Sequence, residues 1–178
     1  MYLRFEKKYK LAFEFIIINI IIFILDQLHK MKRSFITAIL FSIATFVSAQ
    51  NWENSIENAK AKAEKEGKNI VLTFSGSDWC IPCMKLEKNI WESPDFKEYS
   101  KAHFILLRAD FPKKKANALP KEQQEKNDML AEIYNKQGLF PLVLVLDKKG
   151  KILGSTGYKN VDPKDYIALL HSFEIAKL

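Results

Sequence analysis

Cysteine and histidine are scarce in this chain of 178 residues, which has two cysteines and three histidines. A structural zinc site takes four ligands, usually two cysteine pairs or two cysteines with two histidines. The chain has no second cysteine pair, and the histidines that follow residue 50, His103 and His171, stand far apart without ligand spacing. The composition therefore argues against a metal site, and no motif indicates another cofactor.

A strong excess of charge is missing from most of the chain. The 28 basic and 21 acidic residues give a formal net charge of +7. Seven of the basic and three of the acidic residues fall within 1–49, so residues 50–178 carry a net charge of only +3. A charge this small does not indicate nucleic-acid binding. No internal repeat or low-complexity linker divides 50–178, which indicates one domain.

Residues 31–49 have the pattern of a secretory signal peptide. Lys32 and Arg33 form a short basic start, and residues 35–46 form an apolar run that is too short to span a bilayer comfortably. The small residues at 47–49 form a cleavage site. We expect export to the periplasm or an equivalent compartment, with cleavage after residue 49.

Residues 1–30 contain another apolar run and allow two interpretations. In the first, which we favour, translation begins at Met31 and the extension is a mis-assigned start. In the second, the extension is a membrane anchor, so that residues 1–49 tether the protein to a membrane.

Strands and helices alternate through residues 50–178. Branched apolar runs predict strands, and mixed charge with apolar spacing predicts helices. The predicted strands are 69–74, 103–107, 142–146 and one that begins at 151–154. The predicted helices are 52–66, 80–91, 94–101, 128–136 and one that opens at 162–163. The pattern is typical of an α/β fold with a mixed central sheet and helices on both faces.

The polar stretch 112–127 is interpreted as a surface insertion. It contains the run Lys113-Lys114-Lys115. The run is either a solvated loop, the interpretation we favour, or a docking patch for an acidic partner.

Both cysteines fall in the stretch Ser75-Gly-Ser-Asp-Trp-Cys-Ile-Pro-Cys83. A structural disulfide over so short a loop would constrain the unfolded chain little. Thiol chemistry explains the pair better, because a Cys-x-x-Cys motif after a buried strand places the first sulfur at a helix N-terminus, where its thiolate is stabilised. Cys80 is therefore the predicted nucleophile and Cys83 the resolving thiol. Trp79 either provides an apolar ledge beside the sulfur or packs in the core.

This motif resembles the active site of thioredoxin-fold proteins. The segments Ser93-Pro-Asp-Phe96 and Gly138-Leu-Phe-Pro-Leu-Val-Leu-Val-Leu-Asp147 also resemble that family, most of all the periplasmic C-terminal domain of the membrane electron carrier DsbD. The resemblance covers 52–178 and implies a thioredoxin fold. It also implies a cis peptide bond before Pro141, opposite the cysteines, with Phe140 and Pro141 bordering a substrate groove.

Two features depart from the family pattern. Thioredoxins commonly keep a buried acid on the strand before the cysteines, whereas the matching stretch here, Leu72-Thr73-Phe74, has none. Asp78 is close in sequence, but we expect it to be more exposed. The dipeptide Ile81-Pro82 also replaces the Gly-Pro of reducing thioredoxins. Both departures bear on the rate and direction of exchange.

These observations predict an exported thiol-disulfide oxidoreductase that acts as a reductase or isomerase. Its expected partners are protein disulfides and thiols, with a membrane electron donor of the DsbD type, and a monomer is expected. Delivery of reductant to one client, such as cytochrome or copper-site cysteines, is a narrower form of this function. The alternative from another class is a non-catalytic binding or assembly module with an inert disulfide.

Overall fold

The computed structural model describes residues 26–27 and 50–175. The folded unit that begins at Gln50 is built on a five-stranded sheet. Its strands are β1 (Trp52–Glu53), β2 (Asn69–Ser75), β3 (Phe104–Asp110), β4 (Leu142–Leu146) and β5 (Ile152–Thr156). Its α-helices are α1 (Ile56–Glu66), α2 (Ile81–Leu86), α3 (Pro94–His103), α4 (Lys121–Tyr134) and α5 (Pro163–Ile175). A π-helical turn, Glu87–Trp91, continues α2, and Lys115–Asn117 form a short 3₁₀ turn.

The sheet is mixed, as the sequence predicted. Its strand order is β1-β3-β2-β4-β5, with parallel pairing of β3 to β1 and β2, and antiparallel pairing of β4 to β2 and β5. The central strand β2 is buried from Ile70 to Phe74. Because β2 pairs with a strand on each side, its carboxyl end lies in the middle of the sheet edge that is formed by strand ends. The segment 76–80, here called the cysteine loop, begins there.

Helices cover both faces of the sheet. Val71 faces the layer formed by α2, α3 and α5, where Leu86, Phe96 and Tyr166 are buried. Its neighbour Leu72 faces the layer formed by α1 and α4. The alternation along β2 follows from the two-residue period of a strand. The two-sided arrangement confirms the predicted fold class.

The first predicted helix begins later than expected. Trp52 and Glu53 form an edge strand that pairs with Leu106 and Leu107 of β3. The helix starts only after Ser55, whose hydroxyl caps it by accepting a hydrogen bond from the Asn58 backbone N–H. Helical spacing of alanines extended the prediction too far, because the pairing of Trp52 with a distant strand leaves no local signal.

The predicted insertion at 112–127 is shorter than expected. The loop ends at Pro120, and α4 runs from Lys121, seven residues before the predicted start of the helix at 128. Its buried side is narrow and includes a polar residue, Asn127, whose amide donates to the Asp110 carbonyl at 2.7 Å. A helix with so little apolar surface resembles a polar loop in sequence.

The structure does not test the predicted signal peptide or N-terminal extension. Both fall within 1–49, of which only Asp26 and Gln27 belong to the described residues. Within the described part of the chain, no helix combines the length and the apolar character needed to cross a membrane.

Candidate active site

The cysteines lie where β2 ends and α2 begins, as predicted. Cys80 caps the N-terminus of α2, and its Sγ accepts a hydrogen bond from the Cys83 backbone N–H at 3.3 Å. The two sulfurs are joined as a disulfide. Pro82 occupies the first turn of the helix, where its missing N–H costs no hydrogen bond. The site is in its oxidised form, with both sulfurs at the start of a helix.

The sulfur pair is shielded, but its rim is apolar and open. Cys80 is 5% exposed and Cys83 3%, so the two residues are buried to a similar degree. Beside them Ile81 is 63% exposed and Met84 42%. Exposed apolar side chains around a reactive centre are typical of a surface that receives a partner chain.

Pro141 lies at the same sheet edge as the cysteines. Phe74 of β2 pairs with Leu142 of β4, so the residue before Leu142 lies beside the residue after Phe74. The peptide bond between Phe140 and Pro141 is cis, which confirms the expectation drawn from the family resemblance. The substrate-binding role of these two residues stays a prediction.

Three aromatic side chains line this edge. The Trp79 ring centroid is 5.3 Å from that of Phe140, which is in turn 5.5 Å from that of Phe111. The Trp79 Nε1 also donates a hydrogen bond to the Phe111 carbonyl at 2.7 Å. Trp79 therefore packs inward and also contributes to the rim. Sequence reasoning missed Phe111, whose available signal was an aromatic residue directly after a strand that ends at this edge.

Gly76 provides the space that Trp79 occupies. A Cβ at position 76 would lie 2.3 Å from the Trp79 ring, closer than any real contact allows. The backbone turns tightly here, since the Cys80 N–H donates to the Gly76 carbonyl at 2.9 Å. The absence of a side chain at 76 therefore sets the position of the indole beside Cys80.

The Asp78 carboxylate links the cysteine loop to the loop that follows β3. Its carboxylate accepts hydrogen bonds from the backbone N–H groups of Lys113 and Lys114 and from the Asn117 side-chain amide, each at 2.9 Å. The Lys113 backbone N–H is the main cause that lowers the pKa of Asp78 below its ordinary value. The sequence predicted an exposed acid here but gave no indication of its partners.

A second carboxylate holds the cysteine loop to β3. Asp110, the last residue of β3, accepts hydrogen bonds from the Ser77 backbone N–H at 2.9 Å and from the Ser77 hydroxyl at 2.6 Å. The Phe111 N–H donates to the Ser75 carbonyl at 2.8 Å. Residues 75–79 are thus anchored to 110–117 along their length.

An ion pair between Glu87 and Arg108 lies in the cleft next to Cys83. Glu87 accepts a hydrogen bond from the Arg108 guanidinium at 2.6 Å, and both residues line a cleft of about 380 Å³ together with Cys83. Leu72, Thr73 and Phe74, the stretch without an acid, are buried on β2. Sequence reasoning missed Glu87, although a residue four positions after Cys83 lies on the same helix face.

The two histidines within the described residues, His103 and His171, do not line the cleft next to Cys83. His103 is the last residue of α3, not part of a strand as predicted, and its ring stacks on Tyr99 with centroids 4.0 Å apart. The Nδ1 of His171 lies 2.9 Å from the Glu174 carboxylate. Among the described residues, no group of three or more His, Cys, Asp or Glu side chains could hold a metal ion.

This topology, with a Cys-x-x-Cys pair at the start of a helix and a cis-proline at the same sheet edge, defines a thiol-disulfide oxidoreductase. The chain belongs to the thioredoxin-like family, whose model matches residues 51–148.

One relative and one solved structure support this assignment, and a second solved structure shares the fold. The chain is 35% identical over 121 residues to the disulfide bond reductase DsbH of Chlamydia pneumoniae, covering 68% of this chain and 70% of the relative. A solved structure titled DsbH Oxidoreductase superposes with a TM-score of 0.65 at 33% identity, covering 71% of this chain and 85% of the other. A disulphide isomerase from Xylella fastidiosa Temecula1, at 18% identity and a TM-score of 0.51, shares the fold over 67% of this chain and 88% of its own.

Proposed function

We propose that this protein is an exported reductase of protein disulfides. The single observation that carries the proposal is the placement of Cys80: it caps α2, and its Sγ already accepts the Cys83 N–H. Hydrogen bonds to sulfur and the positive end of a helix both favour a thiolate over a thiol. The name of the Chlamydia relative, a disulfide bond reductase, supports the direction.

The reaction is a two-step exchange between sulfurs. The Cys80 thiolate attacks a client disulfide, forming a mixed disulfide and releasing one client thiolate, which takes up a proton. The Cys83 thiol then loses its proton and attacks Cys80, which re-forms the disulfide of the structure and releases the second client thiol. Counted from the dithiol form, in which Cys80 gives up its proton to become the thiolate, the protein loses two electrons and two protons and the client gains them.

A reductase in an oxidising compartment needs a source of electrons. We propose that residues 31–49 direct export and are then removed, that a membrane dithiol donor of the DsbD type reduces the Cys80–Cys83 pair again, and that the protein acts as a monomer. We also propose that Trp79, Phe140 and Pro141 border the groove that holds the client. The contact between the rings of Trp79 and Phe140 and the pairing of Phe74 with Leu142 support this role.

The test combines a potential with two variants. The reduction potential of the pair, measured in dithiothreitol or glutathione buffers, should lie near thioredoxin's value of about −270 mV; a value near about −120 mV would indicate an oxidant instead. Cys80→Ser should abolish reduction of a client disulfide, and Cys83→Ser should accumulate mixed disulfides visible on non-reducing gels. A Cys80→Ser variant that still turns over would disprove the mechanism.

A further inference from the structure

The loop at residues 112–117, here called the lysine loop, is held in a fixed position beside the cysteines. Asp78 binds two of its backbone N–H groups and the Asn117 amide. The carboxylate oxygens of Asp78 therefore face the backbone of the loop, whereas the side chains of Lys113, Lys114 and Lys115 are exposed. Among the described residues, none of these three ammonium groups forms an ion pair.

One of these ammonium groups lies against the reactive site. The Lys113 Nζ is 3.9 Å from the centroid of the Trp79 ring, and Trp79 directly precedes Cys80 in the chain. A cation over an indole face is held there without losing its charge. The positive rim is thus continuous with the aromatic edge formed by Trp79 and Phe140.

We propose that the lysine loop is a docking surface for client proteins whose reactive cysteine is flanked by aspartate or glutamate. The inference rests on the proposed function and adds the class of substrate. A positive rim beside an apolar site attracts an acidic segment and accelerates the encounter, by tenfold or more at low salt. The loop is already fixed by Asp78, so binding does not need to order its backbone. Ile81 and Met84 are exposed next to the cysteines and are available to apolar residues of the same client.

The test compares model peptides that differ only in charge. Three peptides carry the same internal disulfide, flanked by glutamates, glutamines or lysines, and each is reduced by the pre-reduced full chain. We expect the glutamate peptide to react about 10-fold faster than the glutamine peptide at about 20 mM salt, and the lysine peptide to react slowest. The preference should largely disappear at about 500 mM salt, where exposed charges are screened.

A matched pair of double variants locates the effect. Lys113→Gln with Lys114→Gln should remove most of the preference, because it deletes two charges from the rim and keeps the backbone N–H groups that Asp78 binds. Lys148→Gln with Lys149→Gln removes the same charge from the exposed turn between β4 and β5 and should keep the preference.

The outcomes separate this inference from the proposed function. Equal rates for all three peptides, each abolished by Cys80→Ser, would overturn the docking surface while the reductase stands. A preference that the two double variants lose equally would also overturn it, since net charge alone would then explain the effect. Failure to reduce any peptide would contradict the proposed function itself.

Discussion

Arg108 donates a hydrogen bond to Glu87 at 2.6 Å on the wall of the cleft that Cys83 also lines. Arg108 belongs to β3, and Glu87 begins the π-helical turn that follows α2. The pair is half-buried, and the guanidinium also lies 4.3 Å from the centroid of the Trp52 ring. Because Glu87 lines the same cleft as Cys83, we predict that its carboxylate receives the proton that the resolving thiol must lose.

The first prediction concerns this carboxylate. Glu87→Gln should slow the release of the mixed disulfide by about 10-fold near neutral pH, less than the roughly 100-fold or more that a positioned base typically contributes, because the side chain is partly solvated. Stopped-flow measurement of the two exchange steps checks this, and the slowing should shrink at alkaline pH, where the thiol ionises unaided. Glu64→Gln, on the exposed side of α1, is the control. Slowing of the first step alone would contradict the assignment.

The second prediction concerns the fit between Gly76 and Trp79. Gly76→Ala should destabilise the fold by about 1–3 kcal/mol, since the added methyl group overlaps the indole and the ring must move. Chemical denaturation measures the loss, and a shift in tryptophan fluorescence reports the displacement. Trp79→Leu should cost less in the Gly76→Ala background than in the wild type, because the smaller side chain relieves the overlap. Additive costs would argue against the contact.

The sequence predicted the buried strands more accurately than the edge strand and the polar helix. The strands β2 and β4 were predicted within a residue or two, because short runs of branched apolar residues next to turn residues favour buried strands. The edge strand at Trp52–Glu53 was missed, since its two residues are set by pairing with Leu106 and Leu107. The start of α4 was predicted seven residues too late, because the buried face of this helix contains the polar Asn127 rather than an apolar stripe.

The residues of the active site also differ in how well the sequence predicted them. Spacing alone located Cys80 and Cys83, because the chemistry of a thiol pair depends on residues three positions apart. The family resemblance identified the cis bond before Pro141. The partners of Asp78 lie 35 to 39 residues away, and Arg108 reaches Glu87 across 21 residues. Contacts of this kind depend on how two elements come together, so no local pattern reveals them.

The third prediction concerns the hydroxyl group of the buried Tyr166. The Tyr166 hydroxyl donates to the Gly157 carbonyl at 2.9 Å, and a Cβ at Gly157 would lie 3.3 Å from the Pro141 carbonyl. Tyr166→Phe should cost about 1 kcal/mol, because it removes the shorter of two hydrogen bonds that this carbonyl accepts, the other coming from the Thr156 hydroxyl at 3.4 Å. Burial raises the pKa of Tyr166 in the folded state, so the difference in stability between wild type and Tyr166→Phe should be constant from neutral pH to about 9 and shrink above about 10, where the unfolded tyrosine ionises and the folded one does not. Tyr158→Phe, which removes an exposed hydroxyl, should cost less in the same denaturation experiment.

The last prediction is a pH dependence of the lysine loop. Asp78→Asn replaces an acceptor of three hydrogen bonds by an amide whose own N–H groups face other donors, so the thermal midpoint should fall at pH 7. The pKa of Asp78 is depressed in the folded state, chiefly by the Lys113 N–H. Its contribution is therefore complete above the unfolded value of about 3.9 and is lost as the pH falls through the lower folded pKa. The difference in thermal midpoint between wild type and Asp78→Asn should be constant from neutral pH to about 5 and narrow below about 4. Asp128→Asn, on the exposed side of α4, is the control and should have the thermal midpoint of the wild type at neutral pH. If the difference in midpoint for Asp78→Asn is unchanged at acid pH, the charge of Asp78 does not hold the loop.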